Sequence, residues 1–322
     1  MTLTPSLPEQ LRLRWPAEIE KGHPSAKFCT CFFWILNLGA TVIPMDPSLQ
    51  HTVGKSVTAA GIALHTGNRV HATIHPAPVN HGIRFRRIDM PGTPVVHAHA
   101  GNVTETRRGT TISQNGGKVH TVEHLLAAFH ALQVDNALVD LLGPEPPVMD
   151  GSSLPFIEII QAAGIVDQEA PAAYIEVKAP IFMEAGGTKM VALPDPQFRI
   201  SCTVKYDCNL MDCQYLELVV GADSFIKELQ GARTFCLEKE IHFLMASNLI
   251  VGGSLDNAVV IQEKAILSKD GLRYPDEFVR HKMLDIVGDI FLVGARFRGH
   301  IIAIKPGHPA NVALAQEILK QQ

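Results

Sequence analysis

The 322-residue sequence is poor in several things that would narrow its class at once. Its six cysteines contain no CxxC pair and no disulfide-framework spacing, which excludes a disulfide-stapled scaffold and points to a reducing compartment. Lysine and arginine total 28 against 32 aspartates and glutamates, a formal net charge of −4, so no basic surface for nucleic acid is expected. No low-complexity segment stands out. With 46% hydrophobic and 19% charged residues, the composition is that of a soluble globular chain long enough for two domains. Fifteen histidines are more than usual and direct attention to a metal site.

One stretch does not fit. "FCTCFFWILNLGATVIPM", 28–45, is apolar and about as long as a short membrane span. It follows Arg12, Arg14, Lys21 and Lys27, as the core of a signal peptide or an anchor would. Asn37 and Gly39 interrupt it, and no A-x-A cleavage site follows. Residues 1–44 show no amphipathic period. The expectation is that they arise from start-codon choice and that Met45 is the native first residue; an inner-membrane anchor is the alternative.

From Met45 onward the pattern is regular. "GKSVTAAGIALHTGNRVHATIHPAP" alternates as strands about a turn at His65-Thr66-Gly67. Further short strands are predicted at 82–88 and 93–101. "VHTVEHLLAAFHALQV", 119–134, is a predicted helix with Thr121 as N-cap. A strand at 136–143, a loop at 144–153 and a helix at 154–164 follow. The end of the chain repeats this order: a helix from near Phe278, a strand at 300–307, a loop at "HPAN" and a helix at 312–321. The repetition is an internal duplication. The expected fold class is α+β: two duplicated domains, each with sheets packed against two helices, and a site at their interface. The expected divisions are 1–44, a non-conforming extension; 45–170; and 171–322.

Within "VRHKMLDIVGD", 279–289, His281, Asp285 and Asp289 recur every four residues on an otherwise apolar helix, with Gly288 beside them. A buried carboxylate without a partner is costly, so this stripe must face a hydrogen-bond network, a salt bridge or a metal. His281 and Asp285 can bind one metal from one helix face, and His124 can add a third ligand from the first half. Three protein ligands with an open position is the pattern of a catalytic zinc. Glu123, beside His124, is placed to take a proton from an attacking water. Taken singly, an HxxxD pair is more often a hydrogen-bonded or surface pair. Asp289 alone fits a capping residue, and His308 alone fits a helix-start neighbour. Their weight comes from arriving at corresponding places of a duplicated plan.

"HTVEHLLAAF", "MDGSSLPF", "GARTF", "GGSLDNAVV", "DGLRYPDEFVRHKMLDIVGD" and "KPGHPAN" together resemble the zinc-dependent UDP-3-O-acyl-N-acetylglucosamine deacetylases of lipid A biosynthesis, over roughly Gln50 to Gln322. The resemblance implies one zinc per chain on His124, His281 and Asp285, with Glu123 as general base. It implies His308 as a cationic group near the leaving amine, Asp289 as the carboxylate that orients it, and Thr234 as a hydroxyl for the oxyanion. Lys282, Lys305 and Lys189 match phosphate-contacting positions. Tyr206 matches the aromatic residue against uracil, and Phe235 a further substrate contact. The apolar run 240–253 matches an acyl passage. The implied partner is the acylated UDP-amino-sugar substrate, with no nucleic acid and no stable protein partner. The chain is expected to be a monomer, cytoplasmic or peripheral to the inner membrane. Two rivals stay open on residue types alone: an Fe(II) oxygenase, which uses two histidines and a carboxylate, and a non-catalytic nucleotide-sugar binder.

Overall fold

A computed structural model describes residues 45–206 and 213–322. The expectations for residues 1–44, and Cys208, lie outside the described residues. Two sheets, one of five strands and one of six, organise the described chain. The first is built from β1 (Val57–Ile62), β2 (Arg69–Pro76), β3 (Ile83–Arg87), β4 (Val95–His97) and β5 (Ala137–Leu142), in the order β1-β2-β5-β3-β4. The second is built from β6 (Ile181–Ala185), β7 (Thr188–Leu193), β8 (Phe198–Val204), β9 (Gln214–Val219) and β10 (Arg296–Ile304), in the order β6-β7-β10-β8-β9. The pairing sense also matches step by step. Only the β5–β3 and β10–β8 steps along these two orders are parallel; the others are antiparallel. The strand Tyr174–Glu176 joins the second sheet alongside the start of β10.

Six helices complete the described fold: α1 (Glu123–Ala131), α2 (Leu154–Ala163), α3 (Ala222–Glu228), α4 (Glu238–Ala246), α5 (Glu277–Ile290) and α6 (His308–Leu319). α1 precedes the central strand of the first sheet and α2 follows it; α5 and α6 bracket the central strand of the second in the same way. α2 packs on β1, α5 on β8 and β9, and α6 on β6 and β7, while α1 and α5 pack on each other. A small three-stranded sheet precedes α1, at Val103–Glu105, Thr111–Gln114 and Gly117–Val119. Another, at Phe235–Leu237, Val259–Ile261 and Ile266–Leu267, precedes α5 and carries α4.

The patterning explains the layers. Along β5 and β10 buried residues alternate with partly exposed ones, the signature of strands with one face on the core. α1 is buried on every side, and α5 nearly so. One apolar cluster runs from Ile74, Phe85 and Val139 of the first sheet, through Leu125, Phe129, Leu284 and Val287 of the helices, to Ile200 and Ile301 of the second. The close approach of α1 and α5 depends on Gly288: a Cβ there would lie 2.0 Å from the Glu123 carbonyl oxygen.

Local details differ from the sequence expectation. Thr121 does not cap α1. It sits at φ 53° and gives its hydroxyl to Glu145 Oε2 at 3.0 Å, and α1 starts at Glu123. Glu145 is fully buried and collects four further bonds from His65 and Thr66, so its demand for donors outcompetes capping. "HPAN" is the first turn of α6 rather than a loop, because Pro309 suits a helix start, where its missing N–H has no partner to lose. Of 93–101 only Val95–His97 is strand. His99 then accepts from Gly101 N–H and turns the chain into a short 3-10 helix. No helix among the described residues is long and apolar enough to cross a membrane.

Candidate active site

The α1 start and the last turn of α5 meet at Gly288, and the polar stripe of α5 lies beside that contact. His124, His281 and Asp285 each offer a ligand atom, and the three atoms lie within 4.8 Å of one another. Asp285 Oδ1 is 3.7 Å from His124 Nε2 and 3.5 Å from His281 Nε2. His281 Nδ1 donates to the Ala232 carbonyl at 3.1 Å, which fixes the tautomer and leaves the Nε2 lone pair facing Asp285. Burial pushes the His281 imidazole down to about 3, so it is neutral and available as a ligand. Asp285 Oδ2 accepts from Lys282 Nζ at 2.8 Å, but buried Oδ1 has no hydrogen-bond partner. A buried carboxylate oxygen left without a donor costs free energy. A cation among these three atoms would supply what the protein does not. Burial opposes ionisation of Asp285, yet Lys282 above all, together with His308, holds its carboxyl well below the usual range. The donor set fits a divalent metal.

Glu123 and His308 flank this group. Thr110 N–H donates to Glu123 Oε2 at 3.0 Å, and Oε1 stands 3.9 Å from His308 Nε2. Burial raises the Glu123 carboxyl above its ordinary value, against the pull of His308 and His124. His308 is the first residue of α6. Its Nδ1 donates to Asp289 Oδ2 at 2.9 Å. Burial alone would discharge the ring, but Asp289, Asp285 and Glu123 raise its pKa to about 9 and keep it cationic near neutrality.

These groups line one cavity of about 350 Å³ together with Thr234, Phe235, Tyr206 and Lys282. Thr234 is held by its own N–H bond to the Gly151 carbonyl at 2.8 Å. Gly151 has φ 86°, and a Cβ there would lie 1.9 Å from the Asn257 carbonyl oxygen, so this crossing needs glycine. The neighbouring Arg233 forms a buried pair with Glu277 at 2.8 Å, tying the "GARTF" segment to the start of α5. Tyr206 and Phe235 meet edge to face at 5.5 Å, with Lys282 Nζ 5.4 Å from the Phe235 ring centre. Lys305 and Lys189 do not line the cavity. Lys305 is exposed beyond β10, and Lys189 on β7 pairs with Glu184 at 3.4 Å. Behind Thr234 and Phe235 opens an apolar groove of about 210 Å³, walled by Ile241, Met245, Ile250 and Val251. A larger cavity of about 500 Å³ lies around His130, near the other end of α1, without a comparable ligand group.

Sequence reasoning missed several neighbours. Ser153 Oγ donates to the His124 carbonyl at 2.8 Å. Asn311 Nδ2 donates to Asp289 Oδ2 at 2.9 Å. His65 accepts the Ile250 N–H at Nδ1, at 3.3 Å, and brings a partnerless Nε2 to the cavity. Thr110 touches both Glu123 and Asp289. None has a spacing signal, because each partner lies far away in the chain.

Two histidines and a carboxylate able to hold a divalent metal lie beside a second buried carboxylate and a cationic imidazole. Residues 50–320 match the family model described as UDP-3-O-acyl N-acetylglycosamine deacetylase. The chain is 42% identical over 275 residues to the UDP-3-O-acyl-N-acetylglucosamine deacetylase of Alcanivorax borkumensis, covering 85% of this chain and 90% of that protein. It is equally similar, at 42%, to that of Saccharophagus degradans, covering 85% and 91%. It is 41% identical to that of Methylococcus capsulatus, covering 84% and 90%. The chain belongs to the UDP-3-O-acyl-N-acetylglucosamine deacetylase family, hydrolases of an amide C–N bond.

Proposed function

We propose that the chain removes the N-acetyl group of a UDP-3-O-(3-hydroxyacyl)-N-acetylglucosamine, giving acetate and the free amine, with one zinc held by His124, His281 and Asp285. The observation that carries this reading is the partnerless Asp285 Oδ1 within reach of two histidines, beside Glu123 and His308. When bound there, zinc supplies Lewis acidity, making hydroxide available near neutral pH and polarising the amide carbonyl. Glu123, with its proton affinity raised by burial, takes the proton of the attacking water. Thr234 offers its hydroxyl to the developing oxyanion. An amine leaves poorly unless protonated, and cationic His308 gives its Nε2 proton to the departing nitrogen while Asp289 holds Nδ1. Lys282, Lys305 and Lys189 are the proposed diphosphate contacts. Tyr206 and Phe235 are proposed against the uracil side, and the groove along α4 for the acyl chain. The reaction is an early committed step of lipid A synthesis, in the cytoplasm or at the inner face of the membrane. The matching sheets support 45–170 and 171–322 as the two repeats.

The test is acetate release from the acylated UDP-sugar. Chelator should abolish it, and zinc should restore it. Asp285→Ala should lose both bound zinc and turnover. A zinc-replete chain that releases no acetate overturns the proposal, and iron- and oxygen-dependent turnover would favour an oxygenase instead.

A further inference from the structure

We infer that Thr110 is a positioning residue that sets the base and the acid of the site against each other. The inference rests on the assignment of Glu123 and His308 proposed above. Thr110 is fully buried and immediately precedes the Thr111–Gln114 strand of the small sheet before α1, far in sequence from α5 and α6. A carboxylate can only accept, so the single hydroxyl proton of Thr110 goes to Asp289 Oδ1, at 2.5 Å. Asp289 Oδ2 accepts from His308 Nδ1 and from Asn311 Nδ2, each at 2.9 Å. With both oxygens engaged, the carboxylate cannot turn without breaking bonds to three residues. His308 is thereby held with Nε2 towards Glu123 Oε1 and Asp285 Oδ2, each 3.9 Å away.

The backbone of the same residue acts on the other partner. Thr110 N–H pins Glu123 Oε2 at 3.0 Å, so Oε1 is the oxygen left to face His308 and the cavity. One residue therefore chooses the free oxygen of the base and, through Asp289, the orientation of the acid. The hydroxyl can be removed by substitution while the backbone bond stays.

Packing and positioning make opposite forecasts for two variants. Thr110→Val keeps the branched shape and deletes the hydroxyl; Thr110→Ser keeps the hydroxyl and deletes a methyl. A packing residue tolerates Val better than Ser. A positioning residue does the reverse. In the zinc-loaded full chain, Thr110→Val should lower kcat roughly 10–100-fold, the scale of groups that orient others, with KM changed less than about threefold. Zinc content should not change, and Thr110→Ser should keep kcat within about threefold of the parent. If Val does not fold, Ala replaces it and is compared with Ser, from which it differs by the oxygen alone. A second readout does not need turnover: the hydrogen-bonded Nδ1 proton of His308, assigned by its loss in His308→Gln, should be seen by NMR in the parent and in Ser and should shift or broaden in Val or Ala. Equal kcat in Val and Ser, or in Ala and Ser, overturns the inference, as does an unmoved His308 proton. A parent chain that releases no acetate refutes the deacetylase assignment, and the NMR comparison still decides the role of Thr110.

Discussion

The two sheets share one plan, but their helices divide the site unequally. α1 and α5 occupy corresponding places before a central strand, and α2 and α6 corresponding places after it. At the start of α2, Ser153 touches the preceding helix by donating to the His124 carbonyl. At the start of α6, His308 touches the preceding helix by donating to Asp289. Ser153 thus supports the backbone at the first turn of α1, whereas His308 meets a carboxylate in the last turn of α5. α1 offers only its first turn, Glu123 and His124. α5 offers a full stripe of His281, Asp285 and Asp289. The two halves repeat the order of strands and helices but not the contacts between their helices.

The comparison breaks most severely at the charged groups. Glu123→Gln and His308→Gln should each retain zinc and lose kcat by roughly 10²–10⁴-fold, the scale of general acid–base groups. With Glu123 as the proposed base, kcat/KM should rise with pH through its elevated pKa. With His308 as the proposed acid, kcat/KM should fall as pH passes about 9. The acidic limb should weaken in the first variant and the basic limb in the second; both limbs surviving in both variants would reverse the assignment.

The next effect is at the contact between the helices. Gly→Ala in an exposed helix usually stabilises by about 1 kcal/mol. Gly288→Ala should instead destabilise by roughly 1–3 kcal/mol, because the methyl is driven into the Glu123 carbonyl. Urea unfolding measures the sign, and a stabilised variant would show that the helices can part without cost.

Near the other end of α1, His130 stacks between Phe198 and Phe291 and donates to the Val287 carbonyl at 2.9 Å. Burial pushes its pKa from 6.5 down to about 4. Between those values the unfolded chain binds the proton that the folded chain refuses, so this contribution is present above pH 6.5 and is lost as pH falls towards 4. The loss should reach roughly 2 kcal/mol by pH 5. His130→Phe should flatten the fall in stability between pH 7.5 and 5; an unchanged slope would assign it to other groups. The smallest effect should come from Ser153→Ala. It loses one neutral hydrogen bond, about 0.5–1.5 kcal/mol in denaturant unfolding, and little activity. A loss of activity rivalling that of His308→Gln would make the two helix starts functionally equal.

Much was legible in the sequence. Helical and strand periods placed α1, α2, α5 and β5, because apolar repeats follow the geometry of the element that buries them. The order of elements showed the repeated run of strands and helices, and four-residue spacing placed His281, Asp285 and Asp289 on one stripe, because neighbours on a helix are local in the chain. Helix starts were less legible. Thr121 was expected to cap α1, but the buried Glu145 takes its hydroxyl. Only the tertiary structure decided which atoms are free. That Asp285 Oδ1 lacks a donor, that Thr110 bridges Glu123 and Asp289, and that Gly288 faces a carbonyl all depend on residues distant in the chain meeting within a few ångströms. Sequence spacing reports neighbours along one element. Hydrogen-bond satisfaction and steric clearance are properties of the whole packed interior, so they are fixed only when the elements have met.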